Sequence, residues 1–204
     1  MKMTHILHVN SSVNGENSNS RQIASKLIER IAAASDTTNV VERNLSGDGQ
    51  IPALTGEIVG AFYTPAESRS EDQKQVIKTS DALVDEVKAA DVLVIGAPMY
   101  NFAVPSTLKA WVDMIARVGV TFQYTDNGPV GLLTGKKAYV VVSTGGVPVH
   151  SQADFASPYM KQVLAFIGIT DVEIIDASGF AVNPKEAMER AMANVEAASL
   201  PAAA

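Results

Sequence analysis

The stretch Val92-Leu-Val-Ile-Gly-Ala-Pro-Met-Tyr-Asn-Phe102 decides the fold. It opens on a continuous apolar run, too short for a helix, which reads as a strand buried on both faces in a parallel sheet. The run stops at Pro98, the compact loop Met99-Tyr-Asn-Phe102 follows, and Pro105-Ser-Thr107 opens an apolar-periodic helix. The loop is therefore expected at the carboxyl end of a central strand, where open α/β sheets bind their ligands. A thioether, two aromatic rings and an amide that both donates and accepts suit a flat, conjugated ligand. The same residues also serve as a plain strand-to-helix connection whose Met and Phe fill core, so this loop alone leaves both readings open.

Outward from this stretch, strand-like and helical runs alternate. Ile6 to Asn10 reads as the first strand, and Ile23, Leu27, Ile28 and Ile31 give the first helix its apolar spacing. Val40 to Arg43 is a weak second strand. Residues 45 to 65 read as irregular, punctuated by Gly47, Gly49, Pro52, Gly56, Gly60 and Pro65. Ser70 caps a long helix that carries acids in its first turn and runs to about Ala90. After the third strand, Val92 to Ala97, a helix carries Leu108, Trp111, Val112 and Ile115. Ala138 to Val142 is the fourth strand, followed by a helix with Met160, Val163, Leu164 and Ile167 that ends at Gly168. Val172 to Asp176 is the fifth, and Pro184 opens the last helix near its first position. Five strands separated by helices imply an α/β, doubly wound, five-stranded parallel sheet in the flavodoxin-like order 2-1-3-4-5.

Composition narrows the function. A chain of 204 residues, 47% hydrophobic and 19% charged, has the size and balance of one globular domain, so residues 1–204 are read as a single unit. A net charge of -6 argues against a nucleic-acid partner. No apolar run reaches the length of a membrane span, and Met1-Lys-Met-Thr-His5 leads straight into a strand rather than a signal peptide. The tail Leu200-Pro-Ala-Ala-Ala204 reads as frayed. The absence of cysteine removes disulfides, thiolate catalysis and sulfur ligands, and fits a cytoplasmic location.

Strands 1, 3 and 4 are neighbours in this order, and each ends in an unusual loop. After strand 1, Asn10-Ser-Ser-Val-Asn-Gly-Glu-Asn-Ser-Asn-Ser20 places Ser18, Asn19 and Ser20 at a helix start. Free N–H groups and hydroxyls there form a phosphate site, with Arg21 to help neutralise it; plain helix capping explains the same residues. The loop carries neither G-x-G-x-x-G nor G-K-[ST], so a dinucleotide fingerprint and a P-loop are both absent. Strand 4 ends in Ser143-Thr-Gly-Gly146, where paired glycines let backbone approach a ligand; a glycine-rich turn explains these too. Taken together, the three loops describe a mononucleotide with a flat ring, and FMN has that shape.

These residues also carry a resemblance. Ser11-Ser12 with Ser18-Asn19-Ser20, Ala97-Pro-Met-Tyr-Asn-Phe102 and Ser143-Thr-Gly-Gly146 resemble the FMN-dependent NADH:azoreductase and quinone reductase family. So do Gly119-Val-Thr-Phe-Gln-Tyr-Thr-Asp-Asn-Gly-Pro129, Gly135-Lys-Lys137 and Phe166-Ile-Gly-Ile-Thr-Asp171, and the likeness spans essentially the whole chain. The resemblance implies FMN contacts at Ser12, Ser18, Asn19, Ser20, Met99, Tyr100, Asn101, Phe102, Ser143, Thr144, Gly145 and Gly146. It implies a homodimer with the flavin near the interface. It also implies electron transfer from NADH or NADPH to planar quinones and azo compounds in two ping-pong steps. Many relatives carry another residue at Thr144, and Val147-Pro-Val-His150 departs from the family pattern, so His150 is read as a surface histidine.

The remaining candidates are read more plainly. His5 and His8 lie an odd number of residues apart on one strand, hence on opposite faces, and are not a metal pair; no metal site is expected. Trp111 belongs to core or a dimer interface. Phe122 and Tyr124 precede the turn Asp126-Asn-Gly-Pro129 and either cover core or wall a substrate cleft; Phe102 with Phe122 is the candidate sandwich for a planar substrate. Tyr159 and Phe166 suggest a second aromatic face on their helix. No residue is assigned as catalytic, because a flavin performs the chemistry while protein groups position and tune it. A flavodoxin-like electron carrier is the alternative, and the extra segment 45–90 favours the enzyme.

Overall fold

The computed structural model describes residues 3–47 and 51–201. Gly49, Met1-Lys2 and the tail residues 202–204 lie outside them. The chain runs β1 (Met3–Asn10), α1 (Asn19–Ala33), β2 (Thr37–Asn44), α2 (Gly56–Tyr63), α3 (Glu71–Val76), α4 (Lys78–Ala89) and β3 (Val92–Pro98). It continues through α5 (Ser106–Ile115), β4 (Phe122–Thr125), β5 (Gly128–Gly131), β6 (Lys137–Ser143), α6 (Ala156–Phe166), β7 (Asp171–Ala177) and α7 (Pro184–Ala197).

Five of these strands form one sheet, β2-β1-β3-β6-β7, and every neighbouring pair is parallel. This is the expected order 2-1-3-4-5 of a flavodoxin-like fold. All seven residues of β3 and all seven of β6 are buried, because helices cover both faces of the sheet. One face packs Leu7, Val9, Leu93, Ile95 and Val140 with α4, α5 and α6. The other packs Ile6, Val94, Tyr139 and Val141 with α1 and α7. Trp111 is wholly buried in the first layer, which settles it as core. Among the described residues no helix is long and apolar enough to cross a membrane.

Three elements differ from expectation. Residues 56–63, expected to be irregular, are helical: the Thr55 side chain accepts from the Ile58 N–H at 3.3 Å, and Ile58 and Ala61 are buried. Their burial overrides the poor helix propensity of Gly56 and Gly60. The helix from Ser70 has the expected N-cap, which Gln73 completes as a capping box, but it breaks at Ile77, where ψ is 0° and the side chain is buried. The Asp126-Asn127 turn joins a complete antiparallel hairpin, β4–β5, outside the main sheet. That hairpin docks on the end of α6 so closely that a Cβ on Gly131 would lie 2.0 Å from the Gly168 nitrogen, so only glycine fits there.

Candidate functional site

Parallel strands deliver their following loops to the same edge, so the connections after β1, β3 and β6 lie side by side at the carboxyl end of adjacent strands. The first is drawn inward by Ser11, whose hydroxyl donates to the Gly96 carbonyl at 2.7 Å. A short turn at Gly15–Asn17 then leads to Ser18, the N-cap of α1, whose Oγ accepts from the Arg21 N–H at 3.3 Å. Ser18 and Ser20 are buried with their hydroxyl oxygens 3.1 Å apart. Among the described residues the N–H groups of Asn19 and Ser20 meet no protein acceptor, which leaves a pair of helix N-terminal donors for an anion. Arg21 holds Glu16 and Glu42, each at 2.9 Å, so its charge is already committed to carboxylates. Asn10 Oδ1 and His8 Nε2 are buried with no partner in the described structure. His8 is 4% exposed, and burial pulls its pKa below the ordinary 6.5 despite the opposing field of Glu42.

The second loop is a tight turn. Tyr100 and Ala103 exchange backbone hydrogen bonds of 3.0 and 3.2 Å. Between them, Asn101 and Phe102 both take left-handed conformations, with φ of 50° and 72°. Asn tolerates this region; for a phenylalanine it is an outlier that costs on the order of 1–3 kcal/mol and concentrates at functional sites. The strained Phe102 is more than half exposed. Met99 is fixed by its N–H, which donates to the Ser143 carbonyl at 2.8 Å.

The third loop divides its labour. Ser143 and Thr144 are buried, and the Thr144 hydroxyl donates to the Val147 carbonyl at 2.5 Å, so the Thr144 side chain holds the loop together. The Thr144 carbonyl accepts from the Gly179 and Phe180 N–H groups, both at 3.1 Å, and the Gly145 carbonyl accepts from the Ala181 N–H at 2.8 Å. Gly145 and Gly146 are exposed, and among the described residues their own N–H groups donate to no protein acceptor. A Cβ on Gly146 would sit 3.8 Å from Val182 Cγ2, an ordinary contact. The protein's own packing does not demand glycine there, whereas a close ligand would.

The expected contact residues thus gather at one edge, with Ser12 Oγ 3.3 Å from the Tyr100 hydroxyl joining two of the loops. The expected sandwich of Phe102 with Phe122 does not form. Phe122 is 7% exposed and packs on Phe166 at 4.3 Å between ring centroids, because the hairpin folds it inward; Tyr124 is the exposed ring there. Tyr159 and Phe166 are half-buried against the core rather than a free aromatic face. His150 is exposed, as expected. Sequence reasoning missed the supporting loop 178–182 and the buried Asp154. An acid just ahead of the Ser157-Pro158 helix start was the available signal for Asp154. Among the described residues a cavity of about 430 Å³ touches the outer side of the first loop at Glu16, beside Arg21, Met188 and Met192, and one of about 650 Å³ lies at the opposite end of the strands, beside Thr4, Lys137 and Asp171. The chemistry argued above places the candidate site at the three loops instead.

The flavodoxin-like fold family matches residues 4–199. The chain is 52% identical over 202 residues to FMN-dependent NADH:quinone oxidoreductase 1 of Hahella chejuensis, covering 99% of this chain and 98% of that one. It is 48% identical to the FMN-dependent NADH:quinone oxidoreductase of Herminiimonas arsenicoxydans, over 94% of each. The crystal structure of a Bacillus anthracis FMN-dependent NADH-azoreductase in complex with FMN is similar at a TM-score of 0.82 and 27% identity, over 96% of this chain and 97% of that one.

Proposed function

The chain belongs to the flavodoxin-like family of the FMN-dependent NADH:quinone oxidoreductases, and on that premise we propose that it passes electrons from NADH or NADPH to quinones and azo compounds. The observation that carries this reading is the juxtaposition of a phosphate-suited helix start, an aromatic turn and a pair of exposed glycine N–H groups at three adjacent strand ends. FMN fits these residues. The buried hydroxyls of Ser18 and Ser20 and the unpartnered N–H groups of Asn19 and Ser20 suit a monophosphate. Ser12, Met99, Tyr100, Asn101 and Phe102 would flank the ring, and the loop from Ser143 to Gly146 would hold its polar edge. When bound, FMN supplies the redox-active ring.

The chain's own groups position that ring and tune it. The N–H groups of Gly145 and Gly146, which meet no protein acceptor among the described residues, would stabilise negative charge on a ring bound there, because fixed dipoles need no reorganisation when charge develops. The strained turn at Asn101 and Phe102 would present an amide and a ring to the face of a bound flavin. Donor and acceptor would use that face in turn, a ping-pong order. Quinones and azo compounds are planar and stack there. The whole of residues 1–204 is read as one FMN-binding domain of a cytoplasmic homodimer. The exposed rings of Phe102, Tyr124 and Phe155 support an active site that is closed by the second subunit.

The test begins with cofactor release by heat and identification by mass: FMN at one per chain supports the reading, and FAD or no flavin after FMN supplementation refutes it. Anaerobic stopped-flow reduction by each nicotinamide then gives the donor. Parallel double-reciprocal lines with a soluble quinone establish the ping-pong order, and absence of quinone turnover returns the chain to an electron carrier. Light scattering should give about twice the 21.5 kDa chain mass.

A further inference from the structure

Asp154 is 4% exposed, yet its carboxylate accepts four hydrogen bonds. Oδ2 takes the His150 N–H at 2.8 Å and the Ser157 hydroxyl; Oδ1 takes the N–H groups of Ala156 and Ser157, both at 3.0 Å. Burial by itself raises a carboxyl pKa, but these donors outweigh it and hold the group below its ordinary 3.8. Two of the four bonds cap the first turn of α6. The bond from His150 does something different: it closes the loop 150–154 on itself and fixes His150 in a left-handed conformation, φ 67°.

The next residue is Phe155. It is 61% exposed, and its N–H donates to the carbonyl of Phe102 at 3.3 Å. Phe102 is 54% exposed and strained. Two large rings therefore stand outside this chain's core on neighbouring loops, joined through their backbones, at the rim of the candidate site. Neither contributes to the core. Exposed aromatic surface of this kind, rigidly supported from beneath, marks a binding wall.

We propose that Phe155 determines specificity for planar aromatic acceptors, forming with Phe102 one wall of the acceptor site, and that Asp154 is the positioning residue that sets this wall. The proposal rests on the oxidoreductase reading above. Phe155 supplies stacking area; Asp154 acts through the loop and touches no substrate.

The test compares a two-ring naphthoquinone, which must stack, with ferricyanide, which takes single electrons without stacking. In the FMN-loaded Phe155→Ala variant the naphthoquinone KM should rise at least fivefold, and the naphthoquinone-to-ferricyanide ratio of kcat/KM should fall by the same factor. Phe155→Tyr should restore both. Asp154→Ser keeps one acceptor for the first turn of α6 and loses the second oxygen that holds His150. It should reproduce the KM shift while the protein still folds and titrates with FMN. An unchanged ratio in Phe155→Ala overturns the acceptor wall. A lowered melting temperature with an unchanged KM in Asp154→Ser reduces Asp154 to a helix cap and overturns its positioning role. A wild-type chain that takes up no FMN, or whose flavin neither NADH nor NADPH reduces, overturns the underlying reading and the proposal with it.

Discussion

The hydroxyl of Tyr100 lies 3.3 Å from Ser12 Oγ and accepts from the Val13 N–H at 3.4 Å, so the turn after β3 reaches across to the loop after β1. One phenol thereby couples the segment proposed to flank the flavin ring to the segment proposed to lead to its phosphate. Tyr100→Phe deletes the coupling and little else. Neutral hydrogen bonds contribute about 0.5–1.5 kcal/mol, so FMN affinity should fall roughly threefold to tenfold. Flavin fluorescence titration measures this; an unchanged affinity would show that the two loops are placed independently.

The serines at the start of α1 have separable duties. Ser18 caps the helix through the Arg21 N–H, so Ser18→Ala should cost about 1 kcal/mol of stability. Ser20 holds no helix N–H, and Ser20→Ala should leave stability close to wild type. Charge-assisted bonds to a phosphate are worth about 1.5–3 kcal/mol each, so the double variant should bind FMN at least tenfold more weakly. Full affinity in the double variant would return both residues to helix capping.

Gly146 offers a cleaner separation of ligand from fold. Its φ lies outside the left-handed region and a Cβ there meets only Val182 at 3.8 Å. Gly146→Ala should therefore leave the flavin-free protein as stable as wild type, or more stable by about 0.4–1 kcal/mol through the unfolded chain. The added methyl should nevertheless weaken FMN binding. Urea unfolding without flavin, set beside a flavin titration, reads both effects, and equal losses in the two would mean that the glycine serves the fold.

The parallel sheet was legible because β3 and residues 138–142 of β6 are unbroken apolar runs, followed by Pro98 and by Gly145-Gly146, a pattern readable from local chemistry. The three-loop edge followed from strand order, since neighbouring parallel strands must end together. What escaped depended on tertiary contacts. Thr55-Gly-Glu-Ile58 carries a cap and an acid, yet its glycines outweighed them until burial of Ile58 and Ala61 stabilised α2. The four-residue strands of β4–β5 are too short for a period-two pattern to register. Phe122 and Tyr124 have the same sequence credentials, and only the docking of Gly131 on Gly168 decides which ring turns inward. Asp154 resembles any helix-capping acid until its bond to His150 is seen.

Burial of His8 predicts a specific pH dependence. Its pKa in the folded chain is lowered by burial first, and by Arg21, against the opposing effects of Glu42 and Asn10. Above pH 6.5 the residue is neutral in both folded and unfolded chains and costs nothing. As the pH falls below 6.5 the unfolded chain takes up a proton that the folded chain refuses, so stability declines across that window. His8→Gln should flatten the decline below pH 6.5, as measured by urea midpoints. Asp154 acts lower: its depressed pKa contributes stability above 3.8 that is lost as the pH falls through its folded value. An unaltered slope in His8→Gln would place the proton uptake elsewhere.

Arg117 and Asp81 form an ion pair whose two ends are unequally buried. The Arg117 side chain is 3% exposed and that of Asp81 51%, and they meet at 2.8 Å. The same Nη1 donates to Ser80 Oγ, and the guanidinium lies 4.5 Å from the centre of the Phe62 ring, so one side chain ties α2 and α4 to the end of α5. Removing Asp81 strands a buried cation with a hydroxyl and a ring for company, whereas removing Arg117 leaves a carboxylate that water already reaches. Asp81→Ala should therefore be the costlier change, at about 3 kcal/mol, while Arg117→Met, which keeps apolar contact with Phe62, should cost about 1 kcal/mol. The pair does not contact the three loops at the sheet edge, so both variants should keep wild-type FMN affinity. Chemical unfolding of the two variants decides it: equal losses, or a larger loss for Arg117→Met, would mean that the guanidinium's packing rather than its charge balance sustains the α2–α4–α5 junction.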